Sequence, residues 1–180
     1  MKKIVRGINC LIINNIKMFF IKLFHMKSFK YHYLNLISPF CSIDIQNQGK
    51  INLGKKCNIL KGTVLGVREE GKLSIGDGTF INQNCQVICH KQITIGNDVC
   101  IGPNTVIVDH DHKFGKNGVE KKNFNCKDIV IGNNVWIGAN CVILKDTKIG
   151  DNAVIGAGSI VFENVGDNTT LIQKKINNYR

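Results

Sequence analysis

A hydrophobic residue followed by glycine recurs every six residues through the second half of this chain. Ile95-Gly96, Ile101-Gly102, Ile131-Gly132, Ile137-Gly138, Ile149-Gly150 and Ile155-Gly156 share one register, and Ile107, Ile143 and Val161 hold it without the glycine. Four residues after each marker comes a small or β-branched side chain: Val99, Thr105, Val135, Cys141, Thr147, Ala153, Ser159 and Val165. An α-helix repeats near 3.6 residues and a plain strand at two. A period of six held over this length predicts an all-β solenoid, a parallel β-helix in which each turn stacks on the last. Three six-residue rungs make a triangular coil of eighteen, so Ile131 and Ile149 are expected to stack.

The same clock starts earlier with Leu53, Ile59 and Leu65 and resumes in a new phase at Ile75, Ile81 and Val87. Residues 66–72 are expected to form a small corner loop, and the phase shifts again near Ile93. Asn and Asp after glycine (Asn97, Asn133, Asp151) are expected to adopt the corner conformations. The largest departure is residues 109–127, a polar stretch across which the register survives. It is therefore expected to bulge from one corner, and long polar loops on regular scaffolds usually carry function.

Charge is uneven along the 180 residues. The net charge is +11, and residues 1–40 hold seven basic residues and no acidic one. With Lys174, Lys175 and Arg180 at the other end, residues 41–173 carry only +1. A near-neutral body argues against a nucleic-acid groove. Residues 4–24 read as a basic amphipathic helix with Ile8, Ile12, Ile13, Ile16, Phe19, Phe20, Leu23 and Phe24 on one face. It lacks the uninterrupted apolar run of a spanning helix. Two roles stay open: contact with an anionic membrane surface, or a cap on the open end of the solenoid. The expected layout is an N-terminal helical segment (1–40), the β-helix (41–168) and a basic tail (169–180). Of eight cysteines, Cys57, Cys85 and Cys141 take small inward slots. With no Cys-x-x-Cys pair and no secretory signal peptide visible, a reduced, cytoplasmic chain is the expectation, at the inner face of the membrane where the helix takes the membrane role.

The segment Ile129–Ile160 (IVIGNNVWIGANCVILKDTKIGDNAVIGAGSI) resembles the closing coils of the hexapeptide-repeat acyltransferases, and DHDHKF at 109–114 narrows the likeness to polysaccharide O-acetyltransferases. The resemblance implies a left-handed β-helix, acetyl-CoA as donor, no metal, a sugar or glycan acceptor, and a homotrimer with sites between subunits. It places a general-base histidine in the loop at His112, with His110 the alternative, oriented by Asp109 or Asp111. Imidazole suits this work because its neutral form is available near working pH. The resemblance further assigns Asn82, Asn84 and His90 to the acceptor, and Trp136, Ala139 and Ala157 to the cofactor. The tail lacks the family's proline segment, so Lys174 and Lys175 stand where the far end of coenzyme A would need another grip.

Two other chemistries fit the same scaffold. N-acetylation of a nucleotide-linked amino sugar is the first. The second, a zinc site of the γ-carbonic-anhydrase type, would need His90, His110 and His112 to converge. Their spacing argues against this, because 22 is not a multiple of 18 and His110 and His112 are expected to point apart.

Overall fold

The computed structural model describes residues 15–116 and 118–173. The strands form three parallel sheets of six, seven and six strands, each taking every third strand in turn. The chain winds about six times in the arrangement of a left-handed parallel β-helix. The first sheet contains Lys50–Leu53, Lys72–Ile75, Gln92–Ile95 and Ile129–Ile131; the second, Phe80–Ile81, Cys100–Ile101 and Trp136–Ile137; the third, Val64–Val67, Gln86–Cys89 and Val106–Val108. Three edges separate the sheets, and the functional residues sort by edge.

The six-residue clock has a direct packing cause. Each marker residue points inward and stacks on its counterpart one turn away: Ile95 on Ile131, Ile131 on Ile149, Ile101 on Ile137. These side chains are almost wholly buried and line one continuous core. The small slots are buried too. Thr79 and Thr105 donate to the carbonyls of Gly96 and Gly138, and Cys57, Cys85 and Cys141 send their thiols to the equivalent carbonyls of Gly76, Gly102 and Gly156. Cysteine thus stands in for threonine. Burial pushes the Cys57 thiol up to about 11, so it stays protonated.

Coil length differs from the uniform eighteen. Corner residues one turn apart are separated by 22, 20, 36, 18 and 16 positions from the N-terminal end onward. The early coils are longer because the first and third sheets there use four-residue strands. Residues 68–71 make the corner turn between two of them, inside the small corner loop expected at 66–72.

The corner residues divide their labour differently from the expectation. Positive φ belongs to the second residue after glycine, as in Asp98, Asn134 and Asn152. The first residue uses its side chain to accept from the amide of the previous turn. Asn97 accepts from Asp77, Asn133 from Asn97, and Asp151 from Asn133, at 2.6–2.9 Å. This ladder needs close stacking. A Cβ at Gly96 would lie 2.5 Å from the carbonyl oxygen of Gly132. Gly96→Ala is therefore expected to cost about 1–3 kcal/mol, read as a lower melting temperature; an unchanged Tm would contradict the stacking.

The repeat also reaches further at both ends than 41–168. Phe29–Lys30 and Leu36–Ile37 already pair with the next turn, and Thr170–Leu171 pairs with Val154–Ile155. A helix over residues 15–24 closes the N-terminal end. Met18 is fully buried and Ile21 packs on the core, while Lys17 Nζ donates to the carbonyls of Pro39 (2.8 Å) and Cys41. The apolar face read from the sequence is turned outward: Ile16, Phe19, Phe20, Leu23 and Phe24 are each at least half accessible. Residues 4–14 of the expected helix lie outside the described residues. Among the described residues no helix is long and apolar enough to cross a membrane.

Candidate active site

The loop leaves the edge between the third and first sheets as a β-hairpin, His110–Gly115 against Gly118–Cys126. Its foot is Asp109. This carboxylate is fully buried, and burial without partners would be costly. It accepts from the backbone amides of His90 (2.8 Å), Lys91 (2.7 Å) and Gln92 (2.9 Å), which form the corner of the turn below. Its own carbonyl accepts from the Lys127 amide at 2.9 Å, where the hairpin rejoins the coil. Burial alone would raise the Asp109 pKa, but the His110 imidazole and the amides outweigh it and hold the group below its ordinary value.

Asp109 Oδ1 also lies 3.2 Å from His110 Nδ1. An ionised carboxylate only accepts, so Nδ1 is the donor, and in the neutral ring the lone pair is on Nε2. The ring is mostly enclosed, with 16% of its side chain accessible. It packs on His90 at 3.8 Å between centroids, and Phe124 touches His90, His110 and His112 at 4.4, 5.4 and 4.6 Å. Burial and the neighbouring His110 lower the pKa of His90. His112 is exposed on the hairpin opposite Phe124. The carboxylates thus sort away from His112: Asp109 holds His110, and Asp111 pairs with Lys145.

The expectation that His110 and His112 diverge is overturned. Alternate residues of a strand share a face, and both meet the same phenylalanine. Among the described residues no group of three or more His, Cys, Asp or Glu side chains is placed to hold a metal ion.

The remaining candidates lie elsewhere on the prism. Trp136 stands on the outer face of the second sheet, 58% exposed, beside Cys100 and Val154. Ala139 and Ala157 turn the edge between the second and third sheets, and Asn82 and Asn84 belong to that same edge. No described residue accepts from the amides of Ala139 or Ala157. Asn82 Oδ1 accepts from the Gln83 amide at 2.8 Å, and Asn84 occupies the positive-φ corner position. Within one chain, then, the fold gathers His90, His110, His112 and Asp109 on one edge and the cofactor and asparagine positions on another. It does not bring the two sets together.

The profile of the bacterial transferase hexapeptide family (six repeats) matches residues 128–163. The chain is 29% identical over 136 residues to WbbJ of Escherichia coli K12, named as a lipopolysaccharide biosynthesis O-acetyl transferase, covering 71% of this chain and 69% of that one. It is 33% identical over 108 residues to a galactoside O-acetyltransferase of Lactococcus lactis, covering 57% of this chain and about half, 52%, of the relative. A hexapeptide-repeat acetyltransferase of Vibrio cholerae, solved with acetyl coenzyme A, superposes with a TM-score of 0.51 at 30% identity, over 72% of this chain and 64% of that one. The chain is an acetyltransferase similar to the hexapeptide-repeat enzymes. A further member of the fold is AntD, an N-acyltransferase of Bacillus cereus solved with dTDP and coenzyme A; it matches at TM-score 0.67 and 24% identity over 81% of this chain and 80% of its own.

For this acetyltransferase, sequence reasoning singled out the histidines and both aspartates but missed Phe124, around which the three rings gather. Its partner in register is His112, and the hairpin register slips between His112 and Lys113. No periodic signal could have located that irregularity.

Proposed function

We propose that this chain transfers the acetyl group of acetyl-CoA to a hydroxyl of a sugar in a surface polysaccharide or its precursor, with His110 as general base. The observation that carries this is the buried Asp109 carboxylate on Nδ1 of His110, which fixes the tautomer and leaves Nε2 as the acceptor. Nε2 takes the proton of the alcohol as its oxygen attacks the thioester carbonyl carbon. The carbon–sulfur bond then breaks, and the departing thiolate recovers the proton from the imidazolium. His112, which the family resemblance favours, is the second reading; its exposure on the same hairpin face supports it.

Trp136 and the amides of Ala139 and Ala157 suit the pantetheine arm, and Asn82 suits the acceptor end. Because these lie on a different edge from the histidines, a neighbouring subunit completes the site, and the chain acts as a homotrimer. The sheet faces support this. The outward residues of the second and third sheets are largely apolar (Leu36, Phe80, Trp136, Ile88, Val106, Ile160), whereas those of the first are Lys50, Asn52, Lys72, Ser74 and Thr94. Apolar faces on a regular prism favour association.

An oxygen acceptor is preferred because the sequence relatives are named O-acetyltransferases. The test is a screen of purified protein with labelled acetyl-CoA against surface glycans, their precursors and nucleotide-linked amino sugars. Label in an ester cleaved by mild base is expected. Label in a base-stable amide on a nucleotide sugar would replace this reading with N-acetylation.

A further inference from the structure

The capped end of the prism carries a surface that acyl transfer does not use. The helix over residues 15–24 buries Met18 and Ile21 and turns Ile16, Phe19, Phe20, Leu23 and Phe24 outward, with Met26 following; these are 52–80% exposed. A contiguous apolar surface of this kind on a polar protein marks an interaction site. Its surroundings are strongly cationic. The helix and the first two turns, residues 15–71, contain eight lysines and Arg68 against three carboxylates: Asp44, paired with Arg68 at 2.8 Å, and Glu69 and Glu70 at one corner. Lys17 is spent on the cap, and Lys22, Lys27, Lys30, Lys50, Lys55 and Lys61 are exposed. The opposite end has no such excess: residues 128–180 hold five carboxylates against five basic residues.

Adjacent turns of the solenoid are about 4.8 Å apart. The lysines of the first two turns therefore lie within roughly one Debye length, about 10 Å, of the capped end. A planar anionic surface meeting that end would feel them together, while the charge-balanced far end offers it no comparable attraction. A second copy of the same end is disfavoured, because it would bring two like-charged clusters face to face.

We infer that the capped end docks on an anionic membrane surface, with Phe19, Phe20, Leu23 and Phe24 entering the headgroup layer and the surrounding lysines facing lipid phosphates. The chemistry is that of an interfacial amphipathic helix whose apolar insertion and cationic rim each contribute. Docking there stands on the helix and the charge distribution, so it holds whether or not the acyl-transfer reading does. With that reading, it would hold the histidine hairpin close to a membrane-borne glycan.

The full chain is tested by co-sedimentation with vesicles of phosphatidylcholine alone and of phosphatidylcholine with phosphatidylglycerol, at low and high salt. Binding is expected on the anionic vesicles only, weakening steeply with salt. The double variant Phe20→Ser, Phe24→Ser should bind at least tenfold more weakly with an unchanged melting temperature. Each of Lys27→Gln and Lys30→Gln should lose up to about fivefold. Equal binding to both vesicle types, or binding to neither, would overturn the inference. So would a change of oligomeric state in the phenylalanine variant, which would make a second copy the occupant.

Discussion

Asp109→Ala is expected to lower the melting temperature by roughly 10 °C and to remove most of the activity at temperatures where the variant is still folded. The thermodynamic part follows from what the carboxylate holds. Three backbone amides at the corner of residues 90–92 donate to it, at 2.7–2.9 Å, inside a site with no solvent access to the side chain. Alanine leaves those donors without their acceptor. A stranded buried donor costs about 1–3 kcal/mol, and partial relaxation brings the sum to about 3–5 kcal/mol. For a chain of this size each kcal/mol moves Tm by about 2–4 °C. Asp109→Asn keeps one acceptor oxygen but turns an amide NH₂ toward other donors, so it should fall between wild type and alanine. The pH dependence has a definite sign. The folded state holds the Asp109 pKa below its ordinary value of about 3.9. The stabilisation is thus complete above that pH and fades as acid takes the pH through the lower folded value. The Tm gap between wild type and Asp109→Ala should be constant from neutral pH down to about pH 5 and narrow only below about pH 4. A gap under 2 °C at neutral pH, or one that widens in acid, would show that the carboxylate does not anchor the corner.

Much of the scaffold was legible because one interaction repeats. Ile95, Ile131 and Ile149 obey a single rule, that a large aliphatic must stack on its equivalent one turn away. The small slots followed the same rule, down to cysteines that replace threonines in donating to a glycine carbonyl. Legibility failed where two geometries satisfy one pattern. Asn133 and Asn134 are chemically identical, yet one supplies the hydrogen-bond ladder and the other the left-handed corner. Coil length failed for a related reason. Lengthening a strand by two residues preserves the inward alternation, so 20- and 22-residue turns leave the hydrophobic signal intact.

The N-terminal helix shows a different limit. A wheel separates an apolar face from a polar one but does not say which meets the protein. Met18 and Ile21 fit the small end of the prism, and the Lys17 ammonium is satisfied there by two carbonyls. That leaves the larger phenylalanine face outside. At the site, the sequence offered two histidines and two aspartates with no means of pairing them. Pairing is a three-dimensional matter: Asp109 lies below the hairpin, within reach of His110, whereas Asp111 points across to Lys145 on a later turn.

His110→Ala is expected to reduce kcat for acetyl transfer by about two to four orders of magnitude, the range for loss of a positioned general base. The KM for acetyl-CoA should change little, because the ring's proposed task is proton transfer rather than donor binding. His112→Ala should cost less than tenfold. The contrast rests on geometry: only His110 has its Nδ1 held by a buried carboxylate, which fixes the tautomer of the neutral ring, aims the other nitrogen and stabilises the imidazolium once it forms. Asp109→Asn gives the matching control. It leaves the imidazole in place but permits the wrong tautomer, so kcat should fall substantially while His110→Ala made in that background adds less than it does alone, as expected for groups acting as a unit. Steady-state kinetics on the variants, each checked by thermal melting, decide the matter. Near-normal turnover in His110→Ala together with a loss of a hundredfold or more in His112→Ala would move the base to the exposed ring and leave Asp109 with an architectural duty alone.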